Sequence, residues 1–222
     1  MPRILYLSQM VAFDHPSRAS FPQEETIVRP LLESLGAEVV FVDVSRDAPP
    51  EPTSFDGVVV GGSSGSANDT EPWRLRLREW LATWQRVPLL GICGGHQLLA
   101  HALGAAIVKM ERPQVGVHPL ALSGVEGFSG NVMHMHTERV ADVPPGATVW
   151  AEDGAGIQAL RYGAHRWTVQ FHPEVPEAMA PKLGRPMGAT EASWPAEGVR
   201  HAVADGRALL GAWLQALPPA LS

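Results

Sequence analysis

The sequence predicts a three-layer α/β fold: a mostly parallel central sheet, helices on both faces and a small antiparallel addition. Three observations predict it. Segments 4–7, 58–60 and 87–92 are short and almost wholly apolar, the pattern of strands buried on both faces. Amphipathic helical stretches, 24–35 and the one that starts at Pro72, lie between them. From about residue 115 onward the period changes to short apolar pieces separated by turns, the pattern of antiparallel or edge strands. The 222 residues are enough for a substantial core, and a single domain spanning 1–222 is expected.

Composition narrows the function classes. The net charge of −6, with no Lys/Arg-rich tail, gives nucleic-acid binding no support. No apolar run approaches a membrane span, and the first residues are too short an apolar run for a signal peptide. The lone cysteine excludes an intramolecular disulfide and suits a reducing compartment, so a cytoplasmic protein is expected.

Taken in order, a strand at 4–7 leads into a polar, proline-broken loop at 11–22. A helix over 24–35 follows, with Ile27, Leu31, Leu32 and Leu35 on one stripe, Pro30 inside it and Glu24 and Glu25 as its acidic first turn. Gly36 ends it, and a second strand covers 39–42. The strand at 58–60 empties into Gly61-Gly62-Ser63-Ser64-Gly65-Ser66, a turn rich in N–H groups. In the next helix Trp73, Leu77, Trp80, Leu81 and Trp84 repeat at packing intervals, while Arg74, Arg76 and Arg78 are expected to face water. The strand at 87–92 is followed by a helix that Gly104 closes. Short strands are expected at 105–108, 117–122, 132–136, 148–150, 157–160 and 167–171. Segment 175–198 resists assignment, and 205–217 reads as a terminal helix with Leu210, Trp213, Leu214 and Leu217 on one face. His15 and His101 read as ordinary loop and surface residues.

The chemistry centres on Gly91-Ile92-Cys93-Gly94-Gly95. A cysteine between small residues at a strand-to-helix junction is the G-x-C-x-G form of a nucleophile elbow, and a helix N-terminus favours negative charge on it. A cysteine nucleophile needs a base, a group to orient the base and a hole for the oxyanion. His172 directly follows a predicted strand, and Glu174 is placed to fix its tautomer. The N–H of Gly94 and one from the Gly61-Gly62-Ser63 turn would supply the hole. A competing reading takes His134, His136, His172 and Glu174 as metal ligands, since an H-x-H pair on a strand puts both imidazoles on one face; metal content separates the two. The glycine turn lacks a G-x-x-x-x-G-K-[ST] pattern, so nucleotide binding has no support, and no cofactor is expected.

The stretch Gly91-Ile92-Cys93-Gly94-Gly95-His96-Gln97-Leu98-Leu99-Ala100, taken with Gln170-Phe171-His172-Pro173-Glu174, resembles the class I glutamine amidotransferase family, and within it the glutaminase domain of GMP synthase and its free-standing relatives. The resemblance runs over residues 4–175. It implies a flavodoxin-like three-layer fold and a cysteine-dependent amidohydrolase. Cys93 would form a γ-glutamyl thioester, His172 would protonate the departing ammonia and then activate water, and Glu174 would orient His172. Gly62 and Gly94 match the family's oxyanion positions, Gln97 its substrate-holding glutamine, and His136 a histidine loop near the site. The family usually has a proline after the two glycines, where this chain has Ser63-Ser64-Gly65.

Two readings share this machinery. One is an enzyme acting alone on glutamine or another γ-glutamyl compound. The other is a glutaminase subunit that passes ammonia to a separate synthetase partner, since too few residues follow Leu217 for a second catalytic domain. A non-catalytic regulator on the same fold is a third.

Overall fold

The computed structural model describes residues 1–10 and 24–218; the expected loop at 11–22, with His15, lies outside the described residues. In chain order the elements are β1 (Arg3–Ser8), α1 (Glu25–Ser34), β2 (Glu38–Asp43), β3 (Gly57–Val60), α2 (Pro72–Thr83), β4 (Leu89–Ile92), α3 (Gly94–Ala102), β5 (Ile107–Pro119), β6 (Asn131–Val140), β7 (Thr148–Asp153), β8 (Gly156–Arg161), β9 (Arg166–Val169), α4 (Ala180–Gly184) and α5 (Ala196–Gln215). The main sheet runs β2-β1-β3-β4-β9-β8-β7. Its first five strands in that order are parallel, and β8 and β7 close the edge antiparallel.

Strand alternation assigns the layers. Along β1, Ile4 and Tyr6 pack with α1 and α5, whereas Leu5 and Leu7 pack with α2 and α3. Val59, Leu90 and Ile92 join the first face, and Val58, Val60 and Leu89 the second. Both faces are therefore covered, which is why these strands carry almost no polar residues. A separate ribbon, β5 with β6, builds a third apolar cluster with α5 and segment 175–194, centred on Met133, Met135, Val175, Trp194 and Ala202. No helix among the described residues is long and apolar enough to cross a membrane.

Four expectations need correction. The strands expected at 105–108 and 117–122 are one bent strand, β5, which ends at Pro119. Its register against β6 breaks between Lys109 and Gln114, where Pro113 has no N–H to donate. The terminal helix starts at Ala196, nine residues before the expected 205. Arg74 does not face water but is 2 % exposed. Glu24 is not in the first turn of α1; it is the N-cap, and its side chain makes no capping bond.

The strand order reverses around β1 and β3, and both the Gly61-Gly62 turn and Cys93 leave the C-terminal ends of adjacent strands, β3 and β4. Such crevices are where open α/β sheets bind ligands.

Candidate active site

Cys93 is the one described non-glycine residue with positive φ, at φ 48 and ψ −100. The turn is crossed in a single residue: Cys93 N donates to Val169 O at 2.8 Å, and Cys93 O accepts the first helical bond of α3 from Gln97 N at 3.1 Å. The flanking glycines are demanded by contact. A methyl group at Gly95 would lie 2.2 Å from Val60 O, one at Gly91 2.9 Å from Gly95 O, and one at Gly94 2.5 Å from Ser63 N. The elbow is thus pressed against the end of β3, and Gly94 touches the Gly62–Ser63 backbone. A β-carbon on Gly62 would sit 3.3 Å from His172 Cε1 and 4.0 Å from Cys93 Cβ. The backbones of Gly62 and Gly94, whose N–H groups are expected to hold an oxyanion, therefore both border the thiol.

His172 follows β9 and is fixed by its N–H, which donates to Met133 O of β6 at 2.8 Å. Its Nδ1 meets Glu174 Oε1 at 2.8 Å, and the ring and the Cys93 side chain border the same point, the place a β-carbon on Gly62 would take. Burial alone would push the imidazole down. The Glu174 carboxylate and Cys93 outweigh burial and hold it well above its ordinary value. Behind this corner, α5 crosses close enough that a β-carbon on Gly206 would lie 2.2 Å from Pro173 O.

Gln97 donates Nε2 to Glu138 O at 2.8 Å and to Gln170 Oε1 at 3.0 Å, and Gln170 Nε2 in turn approaches Cys93 Sγ at 3.6 Å. No described donor reaches Gln97 Oε1, and Gln97 lines the same cavity as Cys93, His136, Glu138 and His172, a space of about 920 Å³. His136 is chemically committed. Its Nδ1 faces Glu138 O at 2.9 Å and so carries the proton; its Nε2 then accepts from His134 Nδ1 at 3.1 Å. Burial lowers His136 to about 4 and His134 further below the ordinary range, so both stand neutral. The metal reading loses its ligands accordingly: the two imidazoles are bonded to each other, and no metal-competent cluster is found among the described residues.

The sequence reading missed three polar residues here. Gln170 shares one face of the β9 edge with Thr168 and His172, a period-two signal that was available. Arg74 donates Nη1 to Ser63 Oγ at 3.1 Å and pairs through Nε with Glu71 at 3.1 Å. It holds the serine turn that follows Gly61-Gly62. Glu24 receives Tyr6 Oη at 2.7 Å and the Ser8 hydroxyl, and it lines the cavity beside His172 and Glu174.

Residues 24–181 match the family described as glutamine amidotransferase class-I. The chain belongs to that family. This amidotransferase chain is 36 % identical over 133 residues to an aminodeoxychorismate synthase of Streptomyces griseus, and 31 % identical over 149 residues to a glutamine-hydrolyzing GMP synthase subunit from Saccharolobus solfataricus. The matches take in 54 % and 64 % of the chain, and 18 % and 78 % of those proteins. The chain thus spans about a fifth of the first relative and most of the second. In fold it superposes on a glutamine amidotransferase from Methylobacillus flagellatus with a TM-score of 0.74 at 18 % identity, over 98 % of this chain and 96 % of that one.

Proposed function

We propose that the chain is a glutaminase component: it hydrolyses the side-chain amide of glutamine through Cys93 and supplies the ammonia to a separate synthetase. The observation that carries the chemistry is the His172–Glu174 pair placed, with Cys93, beside the backbones of Gly62 and Gly94. The Cys93 thiolate, paired with the His172 imidazolium, attacks the amide carbon. The carbonyl oxygen takes the negative charge into the Gly62 and Gly94 N–H groups, a donor pair in which each member is worth about 10²–10³ in rate. His172 gives its proton to the amide nitrogen, the C–N bond breaks, ammonia leaves and the γ-glutamyl thioester remains. Water then gives a proton to His172 and attacks the thioester, and glutamate departs from the regenerated thiolate. Glu174 keeps the Nδ1 proton of His172 in place throughout. Gln97 Oε1, with no described protein donor, is the acceptor offered to the substrate's ammonium group.

The reading as a component of a larger synthetase is supported by the likeness to the GMP synthase subunit from Saccharolobus solfataricus, most of whose length the chain matches. A single cysteine that must stay a thiol fits a cytoplasmic setting. The test is ammonia release from L-glutamine by the purified chain and by Cys93→Ala, together with capture of a bound ATP-dependent synthetase by the tagged chain. Cys93-dependent release with a captured synthetase is expected. Equal release by Cys93→Ala refutes the chemistry, and Cys93-dependent release with no synthetase bound refutes the coupling to a synthetase.

A further inference from the structure

Gln170 is wholly buried just past the end of β9, beyond Ile92 and Val169, the last paired residues of β4 and β9. Its backbone is fixed from the β8 side, where Gln170 N donates to Gln158 O at 2.8 Å. On the β4 side, Cys93 N donates to Val169 O at 2.8 Å. The two side chains therefore leave adjacent strand ends and meet, with Gln170 Nε2 3.6 Å from Cys93 Sγ. A carboxamide can face a sulfur with either end, and here its neighbours fix which. Glu138 O is a backbone carbonyl and only accepts, so the Gln97 atom 2.8 Å from it is the amide nitrogen. That nitrogen donates its second hydrogen to Gln170 at 3.0 Å. Gln170 must then turn its oxygen to Gln97 and its NH₂ group to the sulfur. A donor is thus held against the nucleophile by a buried line that starts at a β6 carbonyl.

We propose that Gln170 is a further catalytic residue, whose amide N–H donates to the Cys93 sulfur and holds it as a thiolate. The proposal rests on the reading of Cys93 as the nucleophile. A thiol sulfur is a weak acceptor, whereas a hydrogen bond to an anion is about twice as strong as a neutral one, so this contact favours the ionised form. It acts while the thiolate waits for substrate and again when glutamate leaves it. The neutral thioester sulfur between those steps draws much less from it. His172 is the titratable group that borders the sulfur, and His136 and Glu138 of β6 line the same cavity. Gln170 brings no charge of its own, so it adds to what His172 does without changing the proton count of the site.

Cys93 is the sequence's one cysteine, so its exchange with a small aromatic disulfide reads this thiol without substrate or turnover. The experiment records the exchange rate against pH in the wild-type chain, in Gln170→Leu and in Gln97→Met, with ammonia release from glutamine measured alongside. Loss of one hydrogen bond to an anion moves the thiol–thiolate balance about tenfold. The freed thiolate is also more nucleophilic, by about threefold for that change in basicity. Gln170→Leu is therefore expected to react about threefold slower than the wild type at acidic pH, where thiolate is scarce, and about threefold faster at alkaline pH, where it is complete. The two profiles cross. Gln97→Met, which removes the donor that orients Gln170, crosses in the same sense. A residue that only packs the site gives no crossing, because looser packing changes access to the sulfur in one direction at every pH. Profiles of Gln170→Leu and wild type that do not cross overturn the proposal. So does a Gln97→Met profile that coincides with the wild type's, which decides the matter where Gln170→Leu fails to fold. Crossed profiles with no ammonia release from the wild type keep the role of Gln170 and remove the glutaminase reading.

Discussion

Gly206 and Gly211 lie in the same helix, and the structure assigns opposite outcomes to the same substitution at each. A β-carbon at Gly211 meets nothing within 4 Å. One at Gly206 lies 2.2 Å from Pro173 O and 2.9 Å from Pro173 C and Cα, all backbone atoms that cannot rotate away. A carbon-to-oxygen contact needs about 3.3 Å, so α5 and the His172-Pro173-Glu174 corner must part by on the order of 1 Å. Both substitutions gain up to about 1 kcal/mol of helix propensity. Gly211→Ala keeps that gain. Gly206→Ala sets it against an overpacking cost of about 1–3 kcal/mol and is destabilised by up to roughly 2 kcal/mol net. The larger effect is on turnover, because a 1 Å misplacement of a reacting group costs about 10²-fold. Urea unfolding and ammonia release, measured well below the melting transition, read the two quantities separately. The reasoning is refuted by a Gly206→Ala protein that keeps full activity, or by equal stability changes at the two positions.

Other expectations follow from the same contacts. Cys93→Gly relieves a strained φ of 48, raising unfolding free energy by about 1 kcal/mol while abolishing turnover; a lower melting temperature would contradict the strain. Arg74→Ala removes the buried guanidinium that bonds Ser63 and the exposed Glu71, costs about 2 kcal/mol, and lowers kcat in the protein that remains folded; a neutral effect in urea unfolding would count against this anchoring. Acid stability follows from three histidines held neutral. His96 is lowered to about 3 and His136 to about 4, first by burial, and His134 also lies well below its ordinary value. The unfolded chain therefore binds more protons below about 6.5, and His96 and His136 each cost about 2 kcal/mol of stability between pH 6.5 and 5. Glu24, raised to about 7, works the other way in that window and offsets one such share. A net loss of roughly 2–4 kcal/mol is expected from urea unfolding at the two pH values.

The parts of the fold readable in the sequence were those whose local pattern and tertiary role agree. The strands β1, β3 and β4 are apolar because both faces are covered, and the elbow shows itself because its cysteine and glycines sit together in five consecutive residues. The start of α5 was hidden for the opposite reason. Gly198, Asp205 and Gly206 weaken helical propensity, yet each serves a distant contact: Gly198 sits against Val117, Asp205 accepts the N–H groups of Ser129 and Asn131 at 2.6 Å, and Gly206 admits Pro173. Likewise β5 read as two strands because its bulge holds Pro113. Within the site, residues carried by a motif were legible. Arg74 and Glu24 were not, because a charge on a helix looks like a solvated face until the turn or strand end it bonds to is brought beside it.

The central claim is that Cys93 carries the γ-glutamyl group. The most direct measurement is the mass of the intact chain, quenched in acid during turnover of L-glutamine, followed by mapping of the modified peptide. The account predicts one γ-glutamyl adduct, on the peptide containing Cys93, absent from Cys93→Ala and removed by hydroxylamine. Ammonia release with no adduct, or with the adduct on another residue, would contradict it.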